Sequence, residues 1–414
     1  MPNYRRVVIT GFSVVSPLGN TIEDLTHNIY AGKSGIKLLD ATFAEQLICK
    51  VAAQVNFNPA DYFSKKSDYS ILDRNGQMAL YSSIEAVKHA QLQLNDKQKS
   101  RTGVYVGTGM GGALSVEDGY QTLYTKGENR LKPYTVLMCM YNSAASAIAT
   151  YFAVSGTNHT YSTACSSSAV AIGQAMRDIR HGYTDIALAG GTDAILSYAS
   201  IKSWEAIRTL ADEDKDDLSA SCKPFSANRS GLVIGEGAAM LVLEEYEQAK
   251  ARGAVIYAEI VGYGAANDYQ HIAVPSVEGQ AATMAAALND CGLKPADIQY
   301  INAHGTGTVF NDITETNAIK KVFGSHAYKL SVSSTKSMHG HLMGAAGALE
   351  TVITTLAVYS NKLPPTINLK LPDPACDLDY VPNVTKSVSR LNYAMSNSFA
   401  FGGTGASLIL KKLN

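Results

Sequence analysis

Ala239-Met240-Leu241-Val242-Leu243 is apolar at every position. A strand with one wet face alternates apolar and polar residues, so an unbroken apolar run indicates a strand buried on both faces of a sheet. Gly103-Val104-Tyr105-Val106 and Ile186-Ala187-Leu188-Ala189 have the same character, and helical stretches separate the three segments. The pattern predicts an α/β protein.

A second succession of strands and helices follows the break at Ala251-Arg252-Gly253-Ala254. The pattern predicts a strand at 256–261, a helix around 277–290, a strand at 298–302 and a helix from His341 to about Tyr359. In that last helix one apolar face is formed by Leu342, Ala346, Leu349, Ile353 and Leu356. Asp312, with Glu315 three residues later, predicts a further helix start. We therefore expect two consecutive α/β halves that meet near residue 253.

Length and composition limit the class of protein. The chain has 414 residues, 46% of them hydrophobic and 17% charged, which is ample for a buried core. Its 35 basic and 36 acidic residues nearly cancel, which argues against a nucleic-acid or membrane-surface protein. The first 19 residues lack signal-peptide features, and no apolar run is long enough to span a bilayer. The six cysteines are scattered without a Cys-x-x-Cys pair. We expect a cytoplasmic protein.

Cys165 lies in Tyr161-Ser162-Thr163-Ala164-Cys165-Ser166-Ser167-Ser168, a turn of small residues that runs into a helix-forming stretch ending near Gly182. The free backbone N–H groups and the positive dipole end of a helix start favour a thiolate. We expect this environment to lower the pKa of Cys165 and to make it a nucleophile.

Three further clusters of small and polar residues lie at strand ends, where open α/β sheets usually place their ligands. They are Asn302-Ala303-His304-Gly305-Thr306-Gly307-Thr308, Ser333-Ser334-Thr335-Lys336-Ser337-Met338-His339-Gly340-His341 and Asn397-Ser398-Phe399-Ala400-Phe401-Gly402-Gly403-Thr404-Gly405. The simpler interpretations are a loop histidine, a solvated lysine and a tight hairpin. Because Lys336 follows a stretch that is predicted to be a buried strand, it needs a partner, for which Glu350 is a candidate.

Two rival sites are disfavoured by the residues themselves. Zinc could be bound by Cys165, His304, His339 and His341, but Lys336 would oppose the metal charge and no nearby carboxylate would orient the histidines. Gly107-Thr108-Gly109-Met110-Gly111-Gly112 does not have the dinucleotide-binding spacing. We expect neither a metal nor a bound cofactor.

Taken in order, the motifs resemble those of the β-ketoacyl-[acyl-carrier-protein] synthases. The most specific are Thr163-Ala164-Cys165, Asn302-Ala303-His304-Gly305-Thr306, Ser333-Ser334-Thr335-Lys336-Ser337 with Gly340-His341, and Asn397-Ser398-Phe399 with Phe401-Gly402-Gly403-Thr404. The resemblance implies a thiolase-like fold with α-β-α-β-α layers. Its two similar halves would be residues 1–253, which carry the nucleophilic cysteine, and residues 254–414, which carry the catalytic histidines.

The resemblance also implies a decarboxylative Claisen condensation between a malonyl thioester and an acyl group held on Cys165, giving a 3-oxoacyl thioester. His304 and His341 would bind the malonyl thioester and stabilise its enolate. The backbone N–H groups of Cys165 and Phe401 would hold the oxyanion. Lys336, paired with Glu350, would set the charge around the histidines.

Four further positions would contact the substrate. Thr306 and Thr308 would bind the phosphopantetheine arm of an acyl carrier protein, Met110 would line the acyl pocket, and Phe399 would belong with Phe401 to a gate between the two half-reactions. The resemblance implies either a homodimer or a heterodimer with a chain-length-factor-like paralogue.

Departures from the family pattern bear on the acyl substrate. His339 replaces a common Thr, Val309 replaces a Pro, Met110 often corresponds to Ile, and Ala400 replaces a glycine in the gate and should stiffen it. The candidate contacts for an acidic carrier protein are Lys65, Lys66, Lys126, Arg130 and Arg208. They are fewer than usual, so a specialised polyketide or aryl-polyene pathway competes with fatty-acid synthesis.

Two other functions remain as alternatives. A degradative thiolase carries a second cysteine in a C-terminal Cys-x-Gly, whereas Cys376 is followed by Asp377-Leu378. A non-catalytic scaffold would bind acyl carriers without using Cys165. A chain-length factor is excluded by the resemblance, because those subunits lack the nucleophilic cysteine.

Overall fold

The computed structural model describes residues 4–413. The strands are, in chain order, β1 (Val7–Val15), β2 (Lys37–Leu38), β3 (Val51–Ala52), β4 (Thr102–Gly107), β5 (Asn158–Tyr161), β6 (Ile186–Asp193), β7 (Gly237–Glu245), β8 (Ala258–Asn267), β9 (Tyr300–Asn302), β10 (Ser331–Ser333), β11 (Lys362–Leu363), β12 (Lys386–Ser387), β13 (Tyr393–Phe399) and β14 (Thr404–Lys411). The helices are α1 (Ile22–Tyr30), α2 (Arg74–His89), α3 (Asp96–Ser100), α4 (Ala113–Tyr120), α5 (Thr135–Cys139), α6 (Ser143–Phe152), α7 (Ser167–Arg180), α8 (Tyr198–Ala206), α9 (Tyr246–Ala251), α10 (Val277–Cys291), α11 (Val309–Phe323), α12 (Lys336–His339) and α13 (Ala346–Ser360).

Across these residues ten strands form one sheet in the order β10-β9-β13-β14-β8-β1-β7-β6-β4-β5. The sheet consists of two sets of five strands with one topology. In each set the first strand pairs antiparallel with the fifth, the fifth antiparallel with the fourth, the fourth parallel with the second, and the second parallel with the third. Two residue pairs between β1 and β8, Val8 with Glu259 and Ile9 with Ala258, join the sets. The prediction of two similar α/β halves is confirmed.

The helices complete five layers. Helices α7 and α13 pack against each other, and each contacts strands of both halves. Helix α2 covers the outer face of the first half, and α10, backed by α11, covers the second. The predicted α-β-α-β-α arrangement is therefore present. The predicted division at residue 253 falls between α9 and β8, although the domain boundaries themselves stay a prediction.

The two central helices approach closely because their contact residues are small. A Cβ added to Gly347 of α13 would lie 2.9 Å from the Cβ of Ala169 in α7. The Ser168 hydroxyl accepts a hydrogen bond from the backbone N–H of Ala348 at 2.8 Å. Residues 346–358 of α13 are all buried. The central layer is thus a tightly packed junction that fixes one half against the other.

Two predicted helix starts are wrong. Helix α13 begins at Ala346 rather than His341, because His341 lies in an extended bridge with Ile234 and a 3₁₀ turn intervenes. Helix α11 begins at Val309 rather than Asp312, and Thr308 is its N-cap, with a hydroxyl that accepts from the backbone N–H of Asn311 at 3.3 Å. None of the helices in the described part of the chain combines the length and apolarity needed to cross a lipid bilayer.

Candidate active site

Cys165 lies in a 3₁₀ turn, Ala164–Ser166, directly before α7, and is 7% exposed. The Ser167 hydroxyl holds this turn: it accepts the backbone N–H of Thr163 at 2.9 Å and donates to the carbonyl of Ala164 at 2.6 Å. Ala164 has a φ of +50°, a left-handed conformation that costs a residue with a side chain about 1 kcal/mol or more. The hydrogen bonds of Ser167 therefore hold Cys165 in a turn whose backbone is strained at Ala164.

The predicted lowering of the pKa of Cys165 is wrong. Burial has the largest effect and raises the pKa to about 11. The charge of Lys336 lowers it, the carboxylate of Asp193 raises it, and the backbone N–H groups of Phe401 and of Cys165 lower it. The stabilising N–H groups are thus the two that the sequence analysis assigned to an oxyanion, but they do not outweigh the loss of water. The resting group is a thiol.

His304 follows strand β9, and His341 follows α12. Their rings are almost perpendicular, at 83°, with centroids 5.3 Å apart. Ligand-type atoms of these two histidines and of Cys165 all lie within 4.8 Å of one another. Cys165 therefore meets two residues that lie 139 and 176 positions later in the sequence, as the sequence analysis predicts.

Hydrogen bonds define the tautomers of both histidines. Nδ1 of His341 accepts the backbone N–H of Met343 at 3.1 Å, and Nδ1 of His304 lies 3.4 Å from Nζ of Lys336, which can only donate. In a neutral ring the proton is then on Nε2. Burial, followed by the positive charge of Lys336, lowers the pKa of both histidines well below 6.5. Near neutral pH the site therefore contains two uncharged Nε2–H donors, and that of His341 has no hydrogen-bond partner within residues 4–413.

Lys336 and Glu350 form the predicted ion pair, and both side chains are fully buried. Burial raises the pKa of Glu350, and the ammonium of Lys336 opposes that effect. Removing either partner would leave an uncompensated charge in a dry environment. The pair therefore holds the ammonium of Lys336 beside His304, 3.4 Å from its Nδ1.

Two buried carboxylates position the backbone of the site. The sequence analysis did not assign either of them to it. Glu315 of α11 accepts the N–H groups of His304 at 2.9 Å and Gly305 at 2.8 Å. Its spacing from Asp312 resembles a capping box, which concealed this long-range role. Asp193, at the end of β6, accepts the N–H groups of Met110 at 3.1 Å and Gly344 at 2.6 Å. Its only sequence signal was an acid that ends an apolar strand.

A cleft leads to Cys165. Its lining includes His304, Thr306, Thr308, His341, Phe399 and Phe401, together with Trp204 and a loop at residues 271–275. Thr308 is half-buried, and its hydroxyl lies 2.9 Å from that of Thr306. Met110 does not line this cleft and is 39% exposed. The substrate contacts assigned to Thr306, Thr308, Phe399 and Met110 stay predictions.

Cys165, His304 and His341 are spaced closely enough to be considered as metal ligands. His339, the fourth ligand of the rival zinc site, is instead directed to Thr335, whose hydroxyl lies 2.9 Å from its Nε2. The Lys336 ammonium, 3.4 Å from His304, would repel a cation. These contacts favour hydrogen-bond donation over metal binding, and the metal-free site stays a prediction.

Comparisons with known proteins agree with this geometry. The profile described as "Beta-ketoacyl synthase, N-terminal domain" matches residues 4–249, and "Beta-ketoacyl synthase, C-terminal domain" matches residues 257–370. The 3-oxoacyl-[acyl-carrier-protein] synthase 2 of Synechocystis sp. is 42% identical over 99% of this chain and 98% of its own length.

Two solved structures are similar over nearly the whole chain, each at 34% sequence identity. The ishigamide ketosynthase/chain length factor has a TM-score of 0.92, covering 99% of this chain and 100% of its own. The second structure is a complex described as a type II PKS acyl-carrier protein with its ketosynthase bound to the hexaketide. One chain of that complex matches with a TM-score of 0.91, and the match covers 100% of both chains.

Proposed function

This chain belongs to the β-ketoacyl synthase family and is a condensing enzyme of fatty-acid or polyketide chain elongation, and we propose how its residues divide the reaction. Cys165 holds the growing acyl group, and His304 and His341 act on the malonyl unit. The observation that carries this assignment is the convergence of one buried thiol and one ring nitrogen from each of two neutral histidines within 4.8 Å.

In the first half-reaction the sulfur of Cys165 attacks the thioester carbonyl of an acyl group on phosphopantetheine. The backbone N–H groups of Cys165 and Phe401 donate to the oxyanion of the tetrahedral intermediate. The intermediate collapses with loss of the pantetheine sulfur, which takes the thiol proton. The step therefore exchanges an acyl group for a proton between two sulfurs. A thiol suits it because sulfur is both nucleophile and leaving group.

In the second half-reaction the malonyl thioester oxygen accepts hydrogen bonds from Nε2 of His304 and His341. As the carboxylate leaves as carbon dioxide, its bonding electrons form the enolate that these donors stabilise. The enolate carbon attacks the acyl carbonyl on Cys165, and the sulfur leaves as a thiolate that takes a proton from water to restore the thiol. Each such donor contributes about 3–4 kcal/mol to lowering the barrier. Burial, followed by the charge of Lys336, lowers the pKa of both rings and keeps them neutral, and Lys336 supports the role in this way.

Mass spectrometry of the intact chain tests the first assignment. Incubation with an acyl carrier protein loaded with a C8 acyl chain should add one acyl mass to the wild-type chain and none to Cys165→Ala. Cys49→Ala, which changes a cysteine outside the cleft lining, is the matched control and should be acylated like wild type. If carriers loaded with saturated chains of several lengths and with polyene chains all leave the wild-type chain unmodified, the assignment fails and the scaffold alternative gains support.

The degradative-thiolase alternative lacks its second thiol. Cys376 packs in an apolar cluster with Leu369 and Leu378 and is 2% exposed. Among the residues described, the cleft lining contains one cysteine, Cys165. A second cysteine would be needed to activate the attacking thioester in that reaction, so condensation by decarboxylation is favoured.

The donor of both substrates is proposed to be an acyl carrier protein, as in the similar type II PKS complex. Arg208 is exposed and precedes Thr209, which lines the cleft together with Trp204. Its charge is therefore placed at the mouth, where an acidic carrier would dock. Arg208→Glu should raise KM for the carrier with kcat little changed, whereas Lys97→Glu, on the distant helix α3, should not. Equal KM values would argue against docking at Arg208.

We also propose that the chain works as a dimer. Within residues 4–413 the sheet has two edges, and at β10 the backbone N–H of Val332 donates to Asp379 at 2.7 Å. No such cover lies on the β5 edge among the described residues. Helix α6 contacts β5, α5 contacts α6 and α4 contacts α5, and this stretch carries exposed apolar residues: Tyr120, Tyr124, Val136, Leu137 and Tyr151. An open edge beside an apolar surface is a typical association surface.

Light scattering of the purified chain identifies the partner. A mass twice the 44.1 kDa of one chain indicates a homodimer, and Val136→Glu with Leu137→Glu should then give monomers. A monomer that dimerises only with a paralogous subunit indicates the pairing suggested by the ishigamide ketosynthase/chain length factor. A dimer that resists both substitutions would place the interface elsewhere.

The remaining assignments follow from the chemistry. One thiol and two imidazoles supply every group that the two balanced steps require, so we propose that no bound cofactor takes part. A location in the cytoplasm fits a reactive cysteine that must stay reduced. Loss of activity on oxidation, with recovery on adding a thiol reductant, would support that requirement.

A further inference from the structure

Trp204 is the single tryptophan of the chain, and it lies at the end of α8, in the lining of the cleft above Cys165. Its ring stacks on that of Phe401, with centroids 5.8 Å apart and planes inclined by 22°. This is the offset-stacked arrangement that aromatic pairs favour. The two rings come from different halves of the fold, so their contact bridges the halves over the nucleophile.

The Trp204 side of this contact is firmly held. The carboxylate of the next residue, Glu205, accepts the backbone N–H groups of Ile48 at 2.6 Å and of Cys49 at 3.1 Å. Lys202, one turn earlier, forms an ion pair with the same carboxylate at 2.6 Å. Trp204 itself packs against an apolar cluster that includes Leu232. Helix α8 therefore presents the indole in one position.

The Phe401 side is a short turn between β13 and β14 that is held through the residues around Phe401: the N–H of Gly403 donates to the carbonyl of Ala400 at 3.0 Å, and the carbonyl of Gly403 accepts from the N–H of Asp268 at 2.8 Å. Gly402 and Gly403, which follow Phe401, both have a φ of +83°, a conformation suited to glycine and easily rearranged. The N–H of Gly402 also donates to the carbonyl of Ile272 at 2.7 Å, and Ile272 is 75% exposed; these hydrogen bonds fix the glycines and leave the side chain of Phe401 to be placed by its own packing. The position of the Phe401 ring thus depends strongly on the indole it packs against.

Phe401 performs two tasks through one residue. Its ring lines the cleft, and its backbone N–H stabilises negative charge on the sulfur of Cys165. A movement of the ring therefore also moves an oxyanion donor. Whatever holds the ring controls both water access and the alignment of that donor.

We propose that Trp204 is a positioning residue that latches Phe401 over Cys165, keeping the acyl group sheltered from water and the N–H of Phe401 aligned between the two half-reactions. This inference rests on the proposed acylation of Cys165. Entry of a pantetheine arm separates the two rings, and the stack re-forms behind it.

The indole reports its own state, since no other tryptophan contributes to the emission. Adding stoichiometric C8 acyl carrier protein to the wild-type chain should shift tryptophan emission to longer wavelength, because separation from Phe401 exposes the indole to water. Phe401→Leu should show the shifted emission before any substrate is added. Unchanged wild-type emission while mass spectrometry shows carrier-dependent acylation would overturn the latch.

A kinetic test uses hydrolysis of the acyl-enzyme in the absence of malonyl carrier. An aromatic pair of this kind has an energy that corresponds to a rate change of about two- to tenfold, so Trp204→Leu should lose its acyl group about two- to tenfold faster than wild type. Trp204→Phe, which keeps an aromatic face, should recover most of the difference. Phe43→Leu disturbs the same apolar cluster without lining the cleft and should hydrolyse at the wild-type rate.

The outcomes separate the two proposals. A wild-type chain that is never acylated refutes the role of Cys165. Normal acylation with equal hydrolysis in wild type, Trp204→Leu and Trp204→Phe refutes the latch alone. Faster hydrolysis in Phe43→Leu as well would show that general loosening of the cluster, rather than the stack, protects the acyl group. If Trp204→Leu does not fold, the emission of the wild-type chain decides the matter.

Discussion

The ionisation of Cys165 gives the sharpest test of the site, and it is made by varying pH during alkylation with iodoacetamide. Burial raises the pKa from 9.0 to about 11, which leaves about one thiolate in a thousand molecules at pH 8 and about 100-fold less than an ordinary cysteine provides. Because the thiolate is the reacting form, the rate at Cys165 should rise about tenfold per pH unit from pH 7 to pH 10. Peptide mapping distinguishes Cys165 from the other five cysteines.

Two substitutions should change this rate in opposite directions without exposing the thiol. Lys336→Met removes the charge that lowers the pKa of Cys165 and should slow alkylation, whereas Asp193→Asn removes a charge that raises it and should speed alkylation. Circular dichroism at each pH verifies folding. A rate that levels off between pH 6 and pH 8 would refute the reasoning, because it would mean that the helix start and the two N–H donors outweigh burial.

Three other predictions concern the remaining parts of the site. His304→Ala and His341→Ala should each permit acylation of Cys165 but slow condensation about 100- to 1000-fold, since each removes an enolate donor; assaying the two half-reactions separately measures this. Lys336→Ala should lower the free energy of unfolding by about 3–5 kcal/mol in urea titrations, because Glu350 is left buried without its partner. Ala400→Gly should broaden the range of acyl lengths accepted in a panel of loaded carriers, because glycine loosens the gate.

Each of these has a clear contrary result. Condensation near the wild-type rate in either histidine variant would remove that histidine from the malonyl step. Loss below about 1 kcal/mol in Lys336→Ala would mean that the pair behaves as an exposed one. An unchanged acyl profile in Ala400→Gly would show that pocket walls, rather than the gate, set chain length.

The local pattern of apolar residues correctly predicted several buried strands and one helix. Unbroken apolar runs identified β4, β6 and β7, and helix α10 lies where the sequence placed it. The helix start at Asp312 was wrong because this acid, buried in α11, accepts the backbone N–H of Phe225 at 2.8 Å. Nothing local separates such a long-range acceptor from a cap. The sequence predicted two α/β halves but not their common strand order, because the halves share a topology without sharing a repeated sequence.

The error over the Cys165 pKa has the same origin. A helix start is visible in the sequence, and it does lower the pKa of a thiol. The opposing rise in pKa comes from burial, which depends on the residues that cover the thiol. Phe401 and His341, from the second half, line the same cleft as Cys165. Burial of a residue from one half by residues of the other is a property of the assembled fold, and here it reverses the sign of the local effect.

Assembly of the two halves is therefore what makes the site dry enough to work. Cys165 comes from the first half, while His304 and the Lys336–Glu350 pair come from the second, and α7 and α13 fix the halves together. In water the charge of Lys336 would be screened and both histidines would titrate near neutral pH. In the closed layer burial lowers the pKa of both imidazoles, the same charge adds to that effect, and it also opposes the rise in the thiol pKa. One buried cation thus prepares both half-reactions, and it can do so only because the ion pair with Glu350 makes its burial tolerable.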